Sequence, residues 1–174
     1  MLETERLYVR EQTLEDIDRL YEIYEGDSIK KFIEPLYEDR QEELAHTKAY
    51  IRHMYRFYGY GMWVVCLKEN DMVIGRAGLG NRRIDDEDRL EIGYVIAEEY
   101  QKKGYAFEVC KAICDFAQNR LYAQELVCIT RKDNEASIRL IKKLDFEYFA
   151  EIVSEADDLT VMVCYVRHFV NGDS

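Results

Sequence analysis

The sequence predicts a mixed α/β fold, with a central, mostly antiparallel sheet of about seven strands flanked by about four helices. Three observations lead there. Short runs rich in β-branched and aromatic residues alternate with period two, longer segments carry apolar residues at helical spacing, and consecutive strands in the middle of the chain give way to a strand–helix–strand step.

Taken in order, Arg6 to Arg10 alternates as a short strand. Leu14, Ile17, Leu20, Tyr21 and Tyr24 follow at helical spacing behind Thr13, a residue type suited to an N-cap. The segment from Gly26 to Asp39 holds the sole proline, Pro35. It leads to a second helix with Leu44, Ile51, Tyr55 and Tyr58 on its apolar side, ended by Gly59 and Gly61. Met62 to Leu67, Met72 to Leu79 and Leu90 to Ala97 form an antiparallel meander, separated by Glu69-Asn70-Asp71 and a charged loop from Arg82 to Asp88. Tyr105, Val109, Ala112, Ile113 and Phe116 mark a third helix to about Leu121, and Leu126 to Ile129 a short buried strand. The strands on either side of that helix are therefore parallel. Glu135 to Leu144 is a fourth helix with Ile138, Ile141 and Leu144 inward. Phe146 to Val153 and Leu159 to Arg167 then pair around Glu155 to Asp158. One domain is expected over 1–170, with 171–174 as a frayed tail.

With 35 acidic against 24 basic side chains the net charge is −11, which argues against nucleic acid or an anionic membrane as partner and suits solubility or a cationic substrate. No run reads as an export signal, and none approaches the roughly 20 apolar residues of a membrane span, so a soluble, cytoplasmic protein is expected. Cys66, Cys110, Cys114, Cys128 and Cys164 lie in apolar patterns and read as reduced core residues. Cys110 and Cys114, four apart on one helix face, leave a metal or redox role open. His46, His53 and His168 do not cluster at zinc-ligand spacing, and no metal is expected.

Chemistry concentrates in Gln101-Lys102-Lys103-Gly104-Tyr105-Ala106, where a strand hands over to the third helix. At such a helix start several N–H groups lack intrahelical partners and sit at the positive end of the helix dipole, a cradle for a diphosphate. Gly104 admits a ligand close to the main chain, Ala106 keeps the first turn slim, and Lys102 and Lys103 add positive charge. Neither Gly-x-Gly-x-x-Gly nor Gly-x-x-x-x-Gly-Lys-Ser/Thr occurs, which argues against a dinucleotide or nucleotidase fold.

Gln101, Gly104 and Ala106 fit the pattern Gln/Arg-x-x-Gly-x-Gly/Ala. Glu91-Ile92-Gly93-Tyr94-Val95-Ile96 stands upstream, and Asn134-Glu135-Ala136-Ser137 with Leu140, Lys143, Leu144 and Phe146 downstream. In order and spacing these segments resemble the GNAT superfamily of acyl-CoA-dependent N-acetyltransferases. The opening Leu2-Glu3-Thr4-Glu5-Arg6-Leu7 is similar to the branch holding ribosomal-protein N-terminal acetyltransferases and their small-molecule relatives.

The resemblance implies a sheet splayed between its fourth and fifth strands and acetyl-CoA as co-substrate. The diphosphate would lie on Gln101, Lys102, Lys103, Gly104, Tyr105 and Ala106, the pantetheine amides on the main chain of Tyr94, Val95 and Ile96, and the cofactor arm against Asn134. The N–H of Tyr94 or Ile96 would polarise the thioester carbonyl, with Gly93 in a bulge. Glu91 is the candidate base for the amine, or a structural carboxylate bonded across the sheet. Relatives carry a tyrosine as general acid where this chain has Ile141. Ser137 or Tyr165 could take its part, although Ser137 also reads as an ordinary first-turn residue. Asp145 stands where glycine is usual. Tyr55, Tyr58, Tyr60 and Trp63 are candidates for an acceptor pocket, and Glu34 and Glu38 for holding a cationic amine. The implied activity is acetyl transfer to a primary amine, on a small molecule or a protein N-terminus, by direct attack. The alternative is an acyl-CoA-binding sensor without turnover, and a homodimer is compatible with either.

Overall fold

In the computed structural model, residues 2–153 and 160–169 are described; the expected turn at Glu155 to Asp158, Leu159 and the 171–174 tail lie outside them. The chain runs β1 (Leu2–Glu3), β2 (Leu7–Arg10), a 3-10 turn (Leu14–Asp16) leading into α1 (Ile17–Tyr24), α2 (Asp27–Lys30) and α3 (Arg40–Tyr50) with a π-helical extension (Ile51–Tyr58). There follow β3 (Met62–Leu67), β4 (Val73–Ile84), β5 (Glu87–Ile96), α4 (Tyr105–Arg120), β6 (Glu125–Arg131), α5 (Glu135–Lys143), β7 (Glu147–Val153) and β8 (Val161–His168). The strands form one sheet in the order β1-β2-β3-β4-β5-β6-β8-β7, antiparallel throughout except for β5 against β6.

Two apolar clusters lie on the two faces of this sheet. On one, Val109, Cys110, Ile113, Cys114 and Ala117 of α4 and Ile141 of α5 pack against Leu7, Val65, Ile74, Ile92 and Leu126. On the other, Leu20 and Ile23 of α1 and Ile29 of α2 cover Val64, Cys66, Val73 and Val95. Each fully buried Val, Leu or Ile contributes about 1.5–3 kcal/mol, so the two faces hold most of the driving force for the fold. The entry to α1 is fixed by polar groups. Asp16 accepts from the N–H (2.7 Å) and hydroxyl (3.0 Å) of Thr13 and takes a two-pronged contact from Arg10 (2.7 and 2.8 Å). Burial alone would push its carboxyl up, but the Arg10 and Thr13 donors outweigh it and hold the pKa below the ordinary value.

The structure departs from the expected elements in six places, the first being α2, a short helix within the segment from Gly26 to Asp39. The eighth strand is β1, two residues too short to show alternation, held by Leu2↔Val9 pairing. The expected charged loop from Arg82 to Asp88 is instead ladder, with Arg83↔Asp88 and Ile84↔Glu87 closed by Asp85-Asp86. Both turn residues have positive φ (50° and 64°), the conformation of a tight two-residue hairpin turn, here made by aspartates rather than Asn-Gly. The first half of α3 buries Glu43 and Thr47, not an apolar stripe. Tyr58 is 43 % exposed, because i→i+5 winding after Ile51 rotates it off the apolar face that α-helical spacing predicts. Finally, β5 runs in unbroken register with β4 from Gly75↔Ile96 to Ile84↔Glu87, so no bulge opposes β4 at Gly93; the irregularity lies at Val65/Cys66, between β3 and β4.

Candidate functional site

The last rung between β5 and β6 is Glu91↔Val127; beyond it the two strands separate. The Ala97 N–H donates to the Ile74 carbonyl (2.8 Å), so alternation along β5 turns the main-chain groups of Tyr94 and Ile96 away from β4, toward the gap. One of these is occupied: the Ile96 carbonyl accepts from Nε2 of Gln101 (2.9 Å), which also lies 3.3 Å from the Ser28 hydroxyl. The gap and the start of α4 share one cavity of about 450 Å³. Tyr94, Val95 and Ile96 form its sheet side, and Gln101, Lys102, Gly104, Tyr105 and Ala106 its loop side. Asn134 and Ser137, at the start of α5, close it.

At the loop, Gly104 is the N-cap of α4 with φ 86°, and no side chain caps the helix. The first intrahelical bond runs from Glu108 N–H to the Gly104 carbonyl, so the N–H groups of Tyr105, Ala106 and Phe107 precede it and remain for a ligand. Lys102 has φ 59°, which bends the loop into the helix start. Lys103 does not line the cavity. Its ammonium lies 5.1 Å from the Tyr100 ring centre, and its carbonyl accepts from Arg6 Nη1 (3.0 Å).

Arg6 belongs to a brace that the sequence reading did not anticipate. Its guanidinium sits 4.3 Å from the centre of the Tyr105 ring, and its Nε donates to Glu108 Oε2 (2.7 Å). The Glu108 Oε1 accepts from the Thr4 hydroxyl (2.5 Å) and the Arg6 N–H (2.9 Å). A Cβ at position 104 would stand 3.3 Å from Arg6 Nη2. The available signal was the Thr4-Glu5-Arg6 run, noted above only as a mark of the branch.

Asn134 caps α5 by accepting from the Ser137 N–H (3.2 Å), and the Ser137 hydroxyl lies 2.8 Å from the Tyr94 hydroxyl. Burial pushes the Tyr94 phenol well up, so it stays protonated, and either hydroxyl of the pair can be the donor. Glu91 does not line the cavity. Half-buried, it stands opposite Gly80 and beside Gly93, on the face of β5 that also carries Val95. A Cβ added at Gly80 would touch nothing within 4 Å, which leaves room for water beside Glu91.

Other candidates lie elsewhere. Ile141 is 1 % exposed, within the α4-side core, and Tyr165 is buried with its ring 5.8 Å from that of Tyr148. Asp145 adopts the left-handed conformation (φ 64°) that glycine usually supplies. The Phe146 N–H reaches the Ile141 carbonyl (3.3 Å) and the Asp145 N–H that of Lys142 (3.1 Å), a complete Schellman cap. Of the aromatic group proposed for an acceptor pocket, Tyr58 and Tyr60 stay together with ring centres 5.6 Å apart, and the others separate. Tyr55 is buried with its hydroxyl donating to the Met62 carbonyl, Trp63 packs on Phe116, Tyr60 donates to Asn81, and Tyr58 stacks edge-on with Phe57. All five cysteines are buried free thiols, and burial pushes Cys114 and Cys164 up to about 11. Among the described residues no group of three His, Cys, Asp or Glu side chains could hold a metal ion, and no helix is long and apolar enough to cross a membrane.

A family model described as the acetyltransferase (GNAT) domain matches residues 6–147. YoaA of Bacillus subtilis, described as an uncharacterized N-acetyltransferase, is 24 % identical over 147 residues, which cover 84 % of this chain and 82 % of that one. The uncharacterized YkkB of the same organism is 29 % identical over 91 residues, and there the match spans 52 % of this chain and only 53 % of the relative. Among solved structures, RimL, a ribosomal L7/L12 alpha-N-protein acetyltransferase in complex with coenzyme A, superimposes with a TM-score of 0.75 at 17 % identity, over 95 % of both chains.

Proposed function

Because the chain belongs to the acetyltransferase (GNAT) family, we propose that it transfers the acetyl group of acetyl-CoA to a primary amine by direct attack in a ternary complex. The observation that carries this reading is that one cavity contains both the open start of α4 and the edge of β5 at Tyr94 and Ile96, beyond its last rung with β6. The first suits a diphosphate and the second an amide-bearing arm that pairs like an extra strand. That RimL is described with coenzyme A bound supports the same ligand here.

In this reading the N–H groups of Tyr105, Ala106 and Phe107 hold the diphosphate, with Lys102 and Lys103 adding charge. Gln101 braces the loop against Ile96. The Tyr94 N–H polarises the thioester carbonyl as the amine nitrogen forms its bond to the acetyl carbon and the carbon–sulfur bond breaks. Glu91 takes the amine proton through water, since it stands back from the cavity wall. The Ser137 hydroxyl, backed by Tyr94, donates a hydrogen bond to the departing thiolate. A thiol with pKa near 8.5 leaves tolerably without full proton transfer, which agrees with the core position of Ile141. The buried thiols offer no nucleophile for a covalent route.

Thiol release from acetyl-CoA across an amine panel, run beside calorimetry with coenzyme A, tests this. Coenzyme A should bind and at least one amine should raise thiol release, with Glu91→Gln slowing release at unchanged coenzyme A affinity. Binding without release on any amine would instead leave the protein as an acyl-CoA sensor.

A further inference from the structure

A second cavity, of about 720 Å³, opens on the α1 side of the sheet between α1, α3 and β4. Its floor is Arg76, registered opposite both Val64 and Val95, which belong to the cluster on that face. No hydrogen bond satisfies Arg76 Nε, and among the described residues no carboxylate pairs with the guanidinium. Across the cavity stands Glu43, 4 % exposed. Its oxygens accept from the Thr47 hydroxyl (3.0 Å) and the Tyr37 N–H (3.2 Å), with no cation paired to it among the described residues. A partly buried cation and a buried anion, neither ion-paired among the described residues, line one cavity.

Gln12, 3 % exposed, adds a third open group. The Thr47 hydroxyl gives its proton to Glu43, so its oxygen accepts from Gln12 Nε2 (3.5 Å), and this fixes the amide with Oε1 left over. Oε1 and Arg76 Nε are both shut off from solvent, so bulk water does not relieve them. A guest toward which the two side chains can turn does. The rings of Tyr24 and Tyr50 wall the space between.

Arg76 also ties this cavity to the first. Its cross-strand partner Val95 lines the gap beside β5, and directly opposed residues stand about 5 Å apart at Cβ. The two cavities are thus separated by one rung of the sheet.

Resting on the acetyltransferase reading, we propose that the acceptor is a free α-amino acid with a hydrogen-bond-donating side chain, a cationic one fitting best. Arg76 takes the α-carboxylate, Gln12 Oε1 and Glu43 take the side-chain donor, and the α-amine is presented toward the thioester on the far side of the Arg76–Val95 rung. A polyamine would leave Arg76 without an anion, and a protein N-terminus would offer it only a neutral amide.

The test uses the wild-type protein saturated with coenzyme A, titrated by calorimetry with lysine, arginine and glutamine, their carboxamides, and spermidine, with thiol release from acetyl-CoA measured on the same panel. The free acids should bind and be acetylated, the carboxamides at least tenfold more weakly. Arg76→Gln should cost the free acids a similar factor while coenzyme A affinity stays within twofold. The carboxamide comparison needs no variant and stands even if Arg76→Gln folds poorly. Equal or tighter binding of carboxamides or spermidine would overturn the proposal. So would an absence of binding across the panel while coenzyme A binds, which leaves the transferase reading intact for other acceptors; failure of coenzyme A itself to bind would sink both.

Discussion

Replacing Arg6 with alanine should separate the scaffolding of the anion cradle from the cradle itself. The change removes the paired contacts to Glu108 (2.6 and 2.7 Å), the bond to the Lys103 carbonyl (3.0 Å) and the stack on Tyr105 (4.3 Å). The Arg6 side chain is 43 % exposed, so solvent screening limits the ion pair to about 1 kcal/mol. The bond to the carbonyl adds about 1 kcal/mol and the ring contact about 0.5 kcal/mol. A total near 2.5 kcal/mol corresponds to a melting temperature lower by roughly 5–10 °C for a chain of this length. The second effect is on the ligand. Without the brace, the loop before Gly104 must be ordered by whatever binds it, and fixing even one backbone residue costs about 1–2 kcal/mol, or roughly tenfold in affinity. Differential scanning calorimetry and titration with coenzyme A read the two quantities separately, and Arg6→Lys, which keeps charge but loses the fork, should fall between. A variant that melts earlier yet binds coenzyme A within twofold of wild type would refute the idea that this brace preorganises the cradle.

Three further outcomes are expected. Gly104→Val forces a β-branched residue to φ 86° and crowds Arg6, so it should cost at least about 1–2 kcal/mol of stability and weaken coenzyme A binding more than tenfold; calorimetric affinity near that of wild type would contradict the cradle. Asp16, whose carboxyl is held below its ordinary pKa chiefly by Arg10 against the opposing effect of burial, contributes stability that is in place above about pH 4 and is lost as pH falls through its depressed folded value. Asp16→Asn should lower stability by about 2 kcal/mol at neutral pH and flatten the acid limb of a urea-midpoint profile; an unchanged limb would show the pair to be inert. Asp145→Gly relieves about 1 kcal/mol of left-handed strain against a somewhat smaller gain in unfolded-chain freedom, so thermal melting should stay level or rise by 1–2 °C by rough estimate, whereas a drop of several degrees would show that the aspartate makes a needed contact.

How far the fold could be read depended on which physical signal each element carries. Strands β3, β5 and β8 and helices α4 and α5 were legible because buried apolar residues recur with their period, as Val109, Ile113 and Ala117 do along α4. The far ends of β4 and β5 were not. Arg82, Arg83, Asp88 and Arg89 look like a solvated loop, yet a ladder needs only backbone groups, and a two-residue turn can be made by aspartates that tolerate positive φ. The π-helical extension after α3 was hidden for a similar reason, since the winding of one turn leaves no mark in composition. In the candidate site, the loop residues announced themselves through Gly104 and its small neighbour. Gln101, read as a ligand contact, lines the cavity with its side-chain amide donating to the Ile96 carbonyl. Of the second cavity only Glu34 was singled out in the sequence, as a candidate for holding a cationic amine, because its polar groups come from four distant segments, Gln12, Glu34 to Tyr37, α3 and Arg76, and no local pattern joins them. The aromatic cluster drew attention to Tyr55 and Trp63, whose size is spent on the core, while Tyr50, one turn earlier, reaches the cavity.

In the proposed reading, the hydrogen bond from Gln101 to the Ile96 carbonyl couples two ends of the site that would hold chemically unrelated parts of one long molecule. A shift of the turn before α4 would then be transmitted through a single amide to the strand edge proposed to align the reactive carbonyl. Damage at the turn should therefore appear as slower turnover at saturation as well as weaker capture, and a shortened donor lacking its nucleotide half should react poorly even when supplied in excess.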